Sequence, residues 1–148
     1  YDVFWIKEEV ASYYFYKSGI LYRFLKSYQR NKYNPELLAQ YRYVTHRFPN
    51  QQLIRQLLSE RSHFTKVIRN GHQFEIQKDD SFVFLQLHEH YLTFYCDTIS
   101  DAENILFPFL RLFHPYLFVV GISVDDYGWM TPVTKNHSPS RQVLYSYL

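Results

Sequence analysis

The sequence predicts a single α+β domain. A mixed, largely antiparallel sheet of five or six strands packs with helices from the N-terminal half and one late helix. Three observations carry this reading. Apolar residues recur at helical spacing between Val10 and Leu58. Beyond Ser62 the pattern shifts to strand alternation, with Asn70-Gly71 standing as a turn between two apolar runs. A capped helical segment, Ser100–His114, then leads into the continuous apolar run Tyr116–Ser123, which reads as a buried strand.

The opening stretch Val3–Lys17 reads as a short strand followed at once by a helix. At 100° per residue Val10, Tyr13, Tyr14 and Lys17 form one stripe, and Ala11 and Phe15 form another beside it. Together they span about 200°, where docking on one core needs roughly 100°. Such a helix is either covered by other parts of its own chain or offers the surplus face to a partner. Ser18-Gly19 interrupts the pattern, and Leu21, Phe24, Leu25 and Tyr28 resume it as a core-facing helix. Asn34-Pro35-Glu36 combines an N-cap, a proline in the first turn and an acid, which together start a third helix carrying Leu37, Leu38, Tyr41 and Val44. Asn50 is expected to cap a fourth, with Leu53, Ile54, Leu57 and Leu58 on its buried edge.

Phe64–Arg69 and His72–Gln77 flank Asn70-Gly71, the pair preferred in a two-residue type I′ hairpin. Phe82–Leu87 and Tyr91–Cys96 make a second hairpin around His88-Glu89-His90. Both alternating sets of the Phe82–Leu87 arm are apolar, which places it inside the sheet and covered on both faces. Ser100 and Glu103 have capping-box spacing, and Pro108 should kink the helix they open. Asp125–Val133 reads as a turn and an extended segment that Pro132 stiffens. The tail beyond Thr134 has no core pattern until Val143-Leu144-Tyr145 and is read as peripheral to a single domain spanning residues 1–148.

At 148 residues the chain suffices for one well-formed core. A hydrophobic fraction of 47% excludes a mainly disordered chain, and no apolar run approaches a membrane span. No basic region leads into an apolar segment at the start, so no secretory signal is expected. With a lone cysteine, Cys96, a reducing cytoplasmic setting is the expectation. Aromatic residues make up 20% of the chain, led by 15 tyrosines, a composition suited to half-exposed recognition surfaces and also produced by AT-rich coding. Residues 1–69 hold 12 Lys/Arg and 5 Asp/Glu, whereas residues 70–148 hold 4 and 9. That asymmetry suits an acidic partner for the first half, or simply solvated helix faces.

Little points to catalysis. Four ungrouped glycines exclude a glycine-rich phosphate cradle. His88 and His90 stand two apart at a hairpin tip with no third ligand in view. Cys96 lies in an apolar strand, where an inert thiol is expected. Asp125-Asp126 follows a buried strand, a location used by some active sites but equally a common turn signal.

Two stretches together resemble a known family. The opening strand with Ile6-Lys7-Glu8-Glu9 and the helix bearing Ala11, Tyr14 and Phe15 is similar to the N-terminus of the sporulation inhibitor of replication (SirA) family. Tyr127-Gly128-Trp129-Met130-Thr131-Pro132-Val133 resembles that family's C-terminal signature. Tyr43-x-Thr45, Pro49 and the helix Glu103–Arg111 fall between them in order. The resemblance implies a cytoplasmic protein that is not an enzyme and uses no cofactor. It implies binding to the N-terminal domain of the replication initiator DnaA and a block on new rounds of initiation. The family's partner-facing positions fall on Val10, Tyr14, Gln40 and Pro132. Tyr13 and Lys17, on the same helical stripe, complete the expected surface. No membrane, small-molecule substrate or direct nucleic-acid contact is expected on this reading. The alternative is a single-stranded nucleic-acid binder using the basic half, and a third reading is a small hydrolase built on Asp125-Asp126.

Overall fold

The structure, a computed structural model, describes residues 1–132 and 143–146. It is an α+β domain. In chain order the elements are β1 (Asp2–Trp5), α1 (Glu8–Tyr14), α2 (Ser18–Arg30), α3 (Pro35–Val44), α4 (Asn50–Ser59), β2 (Lys66–Asn70), β3 (Gln73–Lys78), β4 (Ser81–Leu87), β5 (Leu92–Cys96), α5 (Ile99–Ile105), α6 (Phe107–Phe113), β6 (Leu117–Val120) and β7 (Tyr127–Trp129). The strands form one sheet in the order β2-β3-β4-β5-β1-β6-β7, and every pairing is antiparallel.

Seven strands exceed the expected five or six. The additional one is β7, read from sequence as a turn and extended segment. It pairs along β6 through Phe118↔Trp129 and Val120↔Tyr127. The signal was weak because three residues hold no alternation worth reading.

Alternation along β1 divides the interior in two. Val3 faces a core built with Leu53 and Leu57 of α4, Phe74, Val83, Leu85, Phe94 and the helices α5 and α6. Phe4 and Ile6 face a second core with Ala11, Leu21, Leu25, Tyr41, Phe118 and Trp129. Helices α1–α3 therefore cover β1, β6 and β7, but not the β2–β5 half of that face. This corrects the reading of β4. Val83, Leu85 and Leu87 are buried, but Phe82 is exposed and Phe84 half-buried. The strand lies inside the sheet, as expected, yet only one of its faces is covered.

Several local signals shift by a residue or two. Helix α1 ends at Tyr14, and Phe15-Tyr16 turn the chain before α2 opens at Ser18, so the break precedes Ser18-Gly19. Asn34 caps α3 as predicted, its Oδ1 accepting from the N–H groups of Glu36 (3.0 Å) and Leu37 (3.1 Å). Asn50 does not cap α4. It is the first helical residue, and its amide donates to the His88 carbonyl at 2.9 Å. Asn70 pairs with Gln73, so the first hairpin turns on Gly71-His72. Gly71 has φ 63°, the glycine-first pattern of a type II′ turn rather than I′.

Thr98, not Ser100, caps α5, and its N–H donates to Asp101 Oδ2 at 3.2 Å. Glu103 is thereby free to take both guanidinium arms of Arg111, at 2.6 and 2.7 Å. Pro108 splits the predicted helix into α5 and α6 rather than kinking it. Its ring excludes the carbonyl four residues back, and it has no N–H to offer. In the tail, Leu144 is buried and Tyr145 bridges Trp129 backbone to backbone, at 2.6 and 2.8 Å. Val133 and the stretch from Thr134 to residue 142 lie outside the described residues.

Candidate functional groove

Helices α2 and α3 run as a hairpin whose inner faces are tied by Tyr28 and Tyr41, both buried. Helix α1 lies beside them, anchored by fully buried Ala11 and by Phe15, whose ring meets Trp129 edge-on at 5.5 Å. Helix α1 is seven residues long, and a concave gap remains between it and the hairpin. The result is an open apolar groove of about 570 Å³, with Val10 and Tyr14 of α1 on one wall, Ile20 and Phe24 of α2 on the second, and Gln40 and Tyr43 of α3 on the third. Among the described residues, Gln40 is the sole side-chain polar group besides the tyrosine hydroxyls along this lining.

The groove continues past Val10, Tyr14 and Tyr43 into a more polar depression of about 800 Å³ that adds Glu8, Glu9, Tyr13 and His46. Tyr13 is 63% exposed, and its ring meets Tyr14 edge-on at 4.8 Å. The Lys17 ammonium sits over the Tyr13 ring at 4.5 Å, and that of Lys7 over the Tyr43 ring at 5.4 Å. These cations attract the negative ring faces and hold the tyrosines in place.

The sequence-derived residues are therefore brought together in part. Val10, Tyr14 and Gln40 share one groove, and Tyr13 and Lys17 stand at its margin. Pro132 does not join them. It is exposed and borders a separate depression of about 220 Å³ with Phe15, Tyr116 and Trp129. Ile20, Phe24 and Tyr43 were not singled out as site residues. Ile20 and Phe24 are four apart and flank the buried Leu21 and Leu25, so they mark the edge of the core stripe. Tyr43 is 75% exposed, a large aromatic that no core requires.

The other candidate chemistries are occupied by structural contacts. The His88 ring stacks on Tyr91 at 4.4 Å, and the His90 carbonyl accepts from the Tyr41 hydroxyl. Burial lowers both imidazole pKa values, which favours the neutral rings. Among the described residues no three His, Cys, Asp or Glu side chains are placed to hold a metal ion. Cys96 is half-buried, and desolvation pushes its thiol pKa up, away from thiolate reactivity. Asp126 accepts from the Tyr1 hydroxyl at 2.9 Å and Asp125 faces that of Tyr22 at 3.5 Å, so both carboxylates fasten the β6–β7 connection.

Among the described residues no helix is long and apolar enough to cross a membrane. No curated protein matches the chain. Residues 1–134, including all three walls of the groove and the β6–β7 segment, match the family described as sporulation inhibitor of replication protein SirA. The match runs over nearly the whole sequence, and the chain belongs to the SirA family of sporulation inhibitors of replication.

Proposed function

We propose that this protein blocks replication initiation during sporulation by binding the N-terminal domain of DnaA at the α1–α3 groove, in the cytoplasm and without a cofactor. The observation that carries the reading is the convergence of Val10, Tyr14 and Gln40, separate in sequence, on one concave apolar surface. Concavity also sets the polarity of the contact. Tyr14 is half-buried and forms a wall, so it acts as lining. The partner supplies the anchor, a bulky apolar side chain that displaces water from the groove. Exposed Gln40 and the cation-braced Tyr13 and Tyr43 form the polar rim that closes around it. Pro132 contributes through a footprint that extends over Phe15 to the second depression.

Calorimetric titration into the isolated N-terminal domain of the cognate DnaA tests this. Saturable binding near 1:1, weakened by substitution of Tyr14 or Gln40, is the expected result. No complex by heat or by gel filtration, with both proteins folded, overturns it. Binding to single-stranded DNA in place of the domain favours the nucleic-acid alternative, whose affinity would fall steeply with salt.

A further inference from the structure

A second cavity, of about 250 Å³, lies at the foot of α2 beside the open half of the sheet. Its lining includes Asp2, Gln29, Lys32, Gln86, Tyr91 and Thr93, and it shares no residue with the groove. Asp2 is only 4% exposed. Its carboxylate accepts from the Thr93 hydroxyl at 2.7 Å and from the Gln29 amide nitrogen at 3.0 Å, both neutral donors. No cation pairs with it among the described residues. A carboxylate this far from water, held by neutral donors alone, gains from any cation able to reach it.

Gln29 sharpens the point. Turning its nitrogen to Asp2 leaves its oxygen buried without a partner. Acceptors are thus in excess at this end of the cavity. Lys32 contributes the opposite charge to the same lining without touching Asp2. Its ammonium donates to the Tyr91 hydroxyl oxygen at 3.1 Å and sits over that ring at 4.2 Å. Two opposite charges therefore line one small cavity and are not paired with each other.

We propose that this cavity binds a small zwitterion of the α-amino acid class, its ammonium on Asp2 and the Gln29 oxygen, its carboxylate on Lys32. A simple cation there is repelled by Lys32, and a simple anion by Asp2. A molecule carrying both charges on adjacent carbons satisfies the two together, and this is the source of its selectivity. The volume admits a short side chain, directed at Tyr95 and Ile122, and the His88 ring, stacked on Tyr91, completes the lining. Nothing in the lining is disposed as a nucleophile, so the molecule is a ligand and not a substrate.

The test is titration of the full chain with glycine, L-alanine and L-serine, against methylammonium and acetate at matched ionic strength. Binding is read by calorimetry and by amide shifts in NMR. One amino acid or more should saturate near 1:1, at least about tenfold tighter than either simple ion. The shifts should centre on Gln29, Lys32, Gln86 and Thr93. Asp2→Asn should abolish binding. Lys32→Met, a change at a partly exposed position that leaves the core intact, should reduce amino-acid affinity to the methylammonium level. Absence of saturation by all three amino acids overturns the proposal. So does methylammonium binding as tightly as they do, or a set of shifts centred elsewhere.

Discussion

Tyr28 and Tyr41 lie face to face, ring centroids 3.8 Å apart and planes within 4° of parallel. The pair clamps α2 to α3 and thereby sets the distance between two walls of the groove. The Tyr41 hydroxyl donates to the carbonyl of His90, which ties the helical hairpin to the β4–β5 connection. Tyr41→Phe keeps the stack and removes only that bond, leaving a part-buried carbonyl without this donor. A loss of about 1–2 kcal/mol is expected in urea denaturation. Tyr41→Ala removes the ring as well and should lose about 3–5 kcal/mol. Equal losses for the two variants would show that the ring contact contributes nothing.

The same pair predicts an alkaline limit. Burial, and then the neighbouring Tyr28, raise the Tyr41 phenol far above its ordinary value of 10.0. Above that pH the unfolded chain releases the phenolic proton while the folded chain retains it. The unfolded state then binds fewer protons, so stability falls as pH rises. The contribution is complete below pH 10 and drains away above it. Thermal melts between pH 8 and pH 11 should show a decline that Tyr41→Phe makes shallower. An identical decline in the variant would assign it to other groups.

At the groove, exposure separates binding from folding. Tyr43 is 75% exposed, so Tyr43→Ala should change stability by no more than about 0.5 kcal/mol. As a rim aromatic it should still lose about 1–2 kcal/mol of binding to the DnaA domain. Tyr14→Ala should lose about 2 kcal/mol or more of binding, with circular dichroism unchanged apart from modest destabilisation. Normal binding by both variants would place the interface elsewhere on the molecule.

The layout of the chain was legible where one residue type has one physical use. Asn34-Pro35-Glu36 starts α3 because a side-chain acceptor, a missing N–H and a first-turn acid all serve the same helix end. The surplus stripe of α1 left open whether its own chain or a partner covers it, and in the structure Val10 and Tyr14 line an open groove. What periodicity could not supply was which neighbour covers which face. Phe82 and Phe84 read as buried because nothing local says that α1–α3 stop over β1. Phe24 read as core because a groove wall and a core edge have the same spacing. Pro132 was grouped with the others through a resemblance alone, and in three dimensions it lines a different depression, with Phe15 and Trp129.

The β6–β7 connection supplies the last prediction. Lys26, buried on α2, directs its ammonium to the carbonyls of Gly121 and Ile122, at 2.6 and 2.9 Å. The chain turns so tightly there that the Gly121 N–H donates to the Asp126 carbonyl at 2.7 Å. A Cβ on Gly121 would stand 2.4 Å from the Val124 carbonyl oxygen, a contact with backbone that cannot swing aside. Gly121→Ala should therefore destabilise by about 1–3 kcal/mol, through overlap and not backbone conformation. Lys26→Met keeps most of the side-chain volume but strands two carbonyls, at about 1–3 kcal/mol for each that water does not reach. Both changes loosen the turn that leads into β7, whose backbone in turn holds Tyr145. Hydrogen exchange should accelerate at the Trp129 and Tyr145 amides in each variant, while the amides of β3 and β4 stay protected. Acceleration spread evenly over the sheet would instead mean that the turn unfolds only with the whole domain.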